Sequence, residues 1–246
     1  ALYFQTKSPP PTTGPWQPTS CARSSELHGA QVNFAQWGWS NPLCLENMHV
    51  SSYGGCMSPR YLESVGKIHL GVDLLGPSDR PVPVGTPVFS VCPGRVDGKL
   101  NTDSYDDVYQ SAIFIVDDNG VAFVYGHVRD PLNGPLVKIG DRVTGGQQIG
   151  EIGPITYPGA WPKAHLHLGV NTKGNYYYNY PPKRTGWGIA PSGETDSTII
   201  EKGWVDPVVY LCEHPARTTS GVSSEALNGG TDIHGKWVYE NDSRLA

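Results

Sequence analysis

Residues 163–170 read KAHLHLGV and set His165 and His167 two apart in an alternating run. On a strand, residues two apart share a face, so both imidazoles project the same way while Leu166 and Leu168 turn to the other side. Paired imidazoles on one face suit a metal ion. The chain holds eight histidines, however, so this spacing also fits an ordinary polar face, and a grip on metal needs partners. KIHLGVDLL (67–75) places His69 and Asp73 four apart around Gly71, on one face if the segment is extended, although two ordinary solvated side chains would give the same spacing. VAFVYGHV (121–128) carries His127 at the end of an alternating run whose Val121, Phe123 and Tyr125 share its face. A strand-end histidine is by itself more often structural or solvated than catalytic.

The elements that must position these residues are short strands. TPVFSVC (86–92), SAIFIVD (111–117), VAFVYGHV (121–128), PLVKIG (135–140), QQIGEIG (147–153) and AHLHLGV (164–170) are rich in Val, Ile and aromatics. Turns such as Asp118-Asn119-Gly120 and Gly145-Gly146 separate them. This spacing predicts an all-β protein, an antiparallel sandwich or open barrel with long loops around a groove. Thirty glycines, 22 prolines and only 17% charged residues in 246 agree, and helices should be short and few. The glycines of GDRVTGGQQIG permit tight turns between two strands and are read as architecture. Residues 1–20 are read as a tag remnant (ALYFQ, standing where a targeting segment would be) and a Pro/Thr-rich linker. Residues 21–50 are expected to form an irregular cap or prosegment remnant, 51–212 the main domain, and 213–246 a polar tail.

A net charge of −5 leaves no basic footprint for nucleic acid, and no apolar run is long enough to span a bilayer. The five cysteines form no CxxC pair, which argues against a zinc ribbon. An exported protein with one or two disulfides is expected, the pairing drawn from Cys21, Cys44 and Cys56, with Cys92 a buried free thiol.

Taken together, HLGVD, GTPVFSVCPGRV, VYGHV, VKIGDRVTGGQQIGEIG, AHLHLGV and WVDPVVYL, in that order, resemble the lysostaphin-type (LytM and beta-lytic) zinc endopeptidases, which act on bacterial cell walls. The resemblance covers roughly residues 51–212. It implies the duplicated-hybrid-motif type of β fold, one Zn2+ held by His69, Asp73 and His167, and His127 and His165 as catalytic, non-ligand histidines. Two neutral imidazoles and a carboxylate are the donor set of an open, hydrolytic zinc site. Zinc lowers the pKa of water and polarises a carbonyl, and His165 and His127 would then handle protons or donate to an oxyanion.

The implied substrate is a peptide bond in the stems or cross-bridges of peptidoglycan, the implied location secreted, periplasmic or at the cell surface, and the expected state a monomer. Tyr61 and Tyr53 are candidate substrate contacts upstream of the first ligand. Residues 171–203 are expected to form an aromatic insertion whose Tyr176, Tyr178 and Trp187 either wall the cleft or pack on the sheet. The acidic DGKLNTDSYDDVYQ (97–110) departs from the short turn usual in the family. Two rival readings remain: a phosphocarrier-like β domain, which would need no Asp73, and a silent relative that regulates another wall hydrolase, which the five filled positions speak against.

Overall fold

The computed structural model describes residues 21–216 apart from 44, 46–47, 108–109, 157–162, 177–186 and 191–192. Its strands, in chain order, are β1 (His49–Val50), β2 (Val72–Leu75), β3 (Pro87–Phe89), β4 (Gly94–Leu100), β5 (Ala112–Val116), β6 (Ala122–Gly126), β7 (Val128–Arg129), β8 (Arg142–Val143), β9 (Gln148–Ile152), β10 (Leu166–Asn171) and β11 (Trp204–Val205). Three short helices join them, α1 (Pro59–Val65), α2 (Asp196–Glu201) and α3 (Pro207–Glu213). The large sheet runs β1-β2-β10-β6-β5-β4-β8 with β11 added to β10, and a small sheet runs β3-β9-β7. Neighbours pair antiparallel throughout both sheets. The fold is therefore all-β, as the strand spacing predicts, and no helix among the described residues is long and apolar enough to cross a membrane.

Local chemistry explains the central hairpin. β5 (AIFIV) and β6 (AFVYG) are almost wholly β-branched, aromatic or small, which suits strands buried on both faces. Between them the Asp117 carboxylate accepts from the backbone N–H of Asn119 at 2.9 Å and of Val121 at 2.8 Å. Gly120, at φ 80°, takes the left-handed conformation that closes the turn.

The main core fills the space between the sheets. Leu74, Ile113, Ile115, Phe123, Tyr125, Leu166 and Leu168 of the large sheet meet Val88, Val128, Ile149 and Ile152 of the small one. The opposite face of the large sheet carries a second apolar cluster, with Phe114, Val124, Tyr176, Trp187, Ile199 and Trp204. Residues of the irregular N-terminal stretch, Val32, Phe34, Trp37, Leu43 and Met48, belong to the main core.

Several expectations need correction. Cys21 pairs with Cys212, 191 residues away, rather than with Cys44 or Cys56. Cys56 is instead a buried free thiol, as Cys92 is, and Cys44 lies outside the described residues. The run PLVKIG is not a strand: only Val137 is buried, Ile139 is 63% exposed, and Gly140 turns the chain at φ 97°. Conversely β4 (GRVDGKL) is a strand whose inward positions Gly94, Val96 and Gly98 include two glycines, so little hydrophobic alternation marks it. The start of the acidic 97–110 stretch completes β4. Its continuation is tied down by Asp130, which accepts from Lys99 Nζ at 2.6 Å and from Thr102 Oγ1 at 2.8 Å.

Candidate metal and proton-transfer site

Adjacent strands bring the site together. In the β2–β10–β6 register Asp73 lies opposite His167, and His167 lies opposite Gly126. Partners across a ladder share a face, so Asp73 and His167 project from the sheet side by side. His69 precedes β2, bridged to Ile189, and the chain bends at Gly71 before Asp73. A Cβ on Gly71 would stand 2.6 Å from His167 Nε2, so this glycine makes room for the ring.

The three side chains converge through one atom each. His69 Nε2 is 3.2 Å from Asp73 Oδ1, His167 Nδ1 is 3.2 Å from the same oxygen, and the two nitrogens are 3.0 Å apart. Donors 2.0–2.1 Å from a tetrahedral zinc stand about 3.3 Å from one another, so this triangle is close to the size a zinc ion needs. The tautomer of His69 also fits. His69 Nδ1 donates to the Gly55 carbonyl at 3.3 Å, which leaves Nε2 with its lone pair aimed at the cluster. All three residues are buried, and together they form a group able to hold a metal ion.

His165 approaches from the same strand face. Its Nε2 is 3.4 Å from Asp73 Oδ1, and its Nδ1 donates to the Lys163 carbonyl at 2.7 Å. His127 arrives by a different route. Strict alternation would point it with Phe123 and Tyr125 into the main core, on the face away from His167. Instead its φ of 62° breaks the alternation where the chain leaves β6 for β7, and the ring swings to the histidine side. It stands 4.6 Å, centroid to centroid, from His165 and 5.4 Å from Trp187. The shared face expected for His127 with Val121, Phe123 and Tyr125 is thus overturned, because a left-handed residue does not continue the pleat.

The electrostatics separate these groups. Burial works against ionisation of Asp73, but His69 and His165 nearby, with hydrogen bonds from His165 and His167, outweigh it and hold the carboxyl well below its usual range. Burial likewise lowers His165, yet the Asp73 charge and hydrogen bond raise it above an ordinary histidine. At His167 burial wins, reinforced by His69 and His165, and the pKa falls to about 4, so this imidazole is neutral at physiological pH. Two imidazoles two residues apart are therefore pushed in opposite directions, a pattern typical of functional sites.

The remaining candidates divide. Tyr61, on α1, stacks on His69 with ring centroids 4.5 Å apart. Tyr53 is 52% exposed, next to Gly54, where a Cβ would meet Asp73 Oδ2 at 2.2 Å. Tyr176 is buried, stacked on Phe114 at 4.4 Å and hydrogen-bonded through its hydroxyl to Asp97. Trp187 is buried against His127 and His167, and a Cβ on Gly126 would meet its ring at 2.1 Å. Tyr178 lies outside the described residues. Sequence reasoning assigns no role in the site to the glycines at 54, 71 and 126 or to the carbonyls of Gly55 and Lys163. SYGGC, with two glycines just ahead of the HxxxD, was the available signal.

Residues 67–179 match the model of Peptidase family M23. No curated protein is similar enough to the chain to register as a relative. Among solved structures, a putative glycyl-glycine endopeptidase lytM from Ruminococcus gnavus shares 22% identity over 59% of this chain and 47% of its own, with a TM-score of 0.34. The chain thus covers less than half of that protein. The catalytic domain of the antimicrobial peptidase lysostaphin from Staphylococcus simulans shares 25% over 42% of this chain and 67% of its own, at 0.32. The SpoIIQ–SpoIIIAH pore forming complex is similar too, at 19% over 55% and 84%, with 0.40. The kinship rests on the sequence match: the segment 67–179 that fits the model of Peptidase family M23 carries His69, Asp73, His127, His165 and His167.

Proposed function

We propose that the protein is a zinc-dependent endopeptidase that cuts peptide bonds in the stems or cross-bridges of bacterial peptidoglycan, acting outside the cytoplasm. The observation that carries this reading is the convergence of His69 Nε2, Asp73 Oδ1 and His167 Nδ1 within 3.0–3.2 Å of one another, with two further imidazoles beside them. A zinc ion held by those three atoms would supply Lewis-acid polarisation of the scissile carbonyl and acidify water. His165 is fixed as an Nδ1 donor by the Lys163 carbonyl, so Nε2 is its proton-handling atom. It takes a proton from the attacking water and returns it to the amine nitrogen as the C–N bond breaks. His127, beside it, donates a hydrogen bond to the oxyanion that develops on the carbonyl. Trp187 covers one side of His127 and His167 and keeps that side dry. The exposed Tyr53 ring, together with Tyr61 over His69, offers the substrate an aromatic margin.

Mass spectrometry of fragments released from purified peptidoglycans of different cross-bridge type, with wild type and His127→Ala, tests the reading. New amine termini from at least one wall, lost in the variant, are expected, with near one equivalent of zinc in wild type. Full zinc occupancy without release from any wall would instead mean a silent wall-binding relative.

A further inference from the structure

We propose that Ser24 and Asp206, clasped together next to the Cys21–Cys212 cross-link, are positioning residues that orient His69 through the backbone of residues 54–57. The proposal rests on His69 being a metal ligand. Both candidate ligands of the HxxxD segment hang on that short ribbon of chain: Asp73 N–H donates to the Gly54 carbonyl at 2.7 Å, Met57 N–H to the His69 carbonyl at 2.9 Å, and His69 Nδ1 to the Gly55 carbonyl at 3.3 Å. The last contact is near the outer limit of a hydrogen bond, so a small shift of Gly55 releases the ring.

What holds the ribbon comes from the two ends of the described chain. Ser24 is fully buried, and its Oγ accepts from Cys56 N–H at 2.8 Å while donating to Asp206 Oδ2 at 2.7 Å. Ser24 N–H donates to the same carboxylate oxygen at 2.8 Å. The other oxygen of Asp206 caps α3, accepting from Val208 N–H at 2.9 Å and Val209 N–H at 3.4 Å. Cys212 on that helix is bonded to Cys21, three residues before Ser24. From the other side, Gly55 lies so close that a Cβ would stand 2.6 Å from Ser25 Cα. The contacts thus run without a gap from the cross-link through Ser24 to Cys56 and Gly55, and from Gly55 to His69. Metal-ligating histidines depend on the acceptor behind their second nitrogen, whose loss typically costs 10–100-fold in affinity. Ser24 stands one step further back.

The test compares wild type, Ser24→Ala, the double variant Cys21→Ser with Cys212→Ser, and Tyr125→Phe, a control that loses a buried hydrogen bond on the other face of the sheet. Two readouts are taken: zinc affinity by chelator competition, and the tautomer of His69 by 15N NMR of histidine-labelled, chelator-stripped protein. Ser24→Ala is expected to weaken zinc binding about tenfold and to turn a single Nδ1–H tautomer of His69 into a mixture. The cross-link variant should move both readouts the same way by a smaller factor, and Tyr125→Phe should lower Tm while moving neither. Unchanged affinity and tautomer in Ser24→Ala overturn the proposal; if that variant does not fold, the same result in the cross-link variant does so. Wild type that binds no zinc defeats the peptidase reading, and the tautomer arm then decides the positioning role on its own.

Discussion

Strands β6 and β10 present Phe123, Tyr125, Leu166 and Leu168 to the space between the sheets, and Gly126, His165 and His167 to the opposite side, alongside Asp73 of β2. Both faces are buried, yet burial does opposite work on them. On the first it removes apolar surface from water, worth roughly 1.5–3 kcal/mol for each large side chain. On the second it strips water from a carboxylate and two imidazoles, a cost offset only because these groups hydrogen-bond one another. One face holds the fold, and the other is held by it.

The sharpest way to break that contrast is Asp73→Ala. Turnover on a wall peptide should fall by about 10³-fold or more, several kcal/mol of transition-state stabilisation, while Tm in chelator stays the same or rises. A fall in Tm as large as that of a core deletion would mean that the polar face also supports the fold. Phe123→Ala sits on the other side of the same strands and should cost about 3–5 kcal/mol in denaturant unfolding. The fraction that remains folded should keep its zinc stoichiometry. Gly126→Ala is intermediate, because its new Cβ meets Trp187 at 2.1 Å. A loss of about 1–3 kcal/mol from overpacking is expected, with a changed tryptophan emission and reduced turnover, since Trp187 backs both His127 and His167. Tyr125→Phe is expected to be the mildest: it removes the acceptor of the buried Val91 N–H at 2.8 Å and should cost about 1–2 kcal/mol. Turnover in that variant should match wild type.

Much of this was legible in the sequence, and the reason differs from residue to residue. The HxH pair and the HxxxD pair could be read because alternation on a strand and a four-residue spacing both have direct geometric meaning. The β5–β6 hairpin was legible from its turn and its β-branched flanks. Other features are set by contacts distant in the chain, which spacing does not reveal. Cys21 found Cys212 because Asp206 and Ser24 bring α3 and the N-terminal turn together, and nothing near either cysteine encodes the other. β4 was hidden because two glycines occupy inward positions where the neighbouring strand approaches: a Cβ on Gly94 would meet the Val116 carbonyl oxygen at 2.7 Å. PLVKIG misled for the converse reason, since a short apolar run with one buried member resembles a strand in composition only. The N-terminal stretch showed no period because its apolar residues enter the core from irregular backbone. His127 was found as a residue but placed on the wrong face, since its backbone conformation cannot be inferred from its neighbours.

That conformation has a consequence for how the protein would fail. His127 is the one residue between β6 of the large sheet and β7 of the small one, and β7 immediately beyond it is only two residues long, secured by Val128 and Arg129 against β9. Any loosening of this narrow seam lets the backbone relax into an ordinary extended path and carries the imidazole back towards the interior. On warming, catalysis should therefore fade at a lower temperature than the one at which the large sheet comes apart.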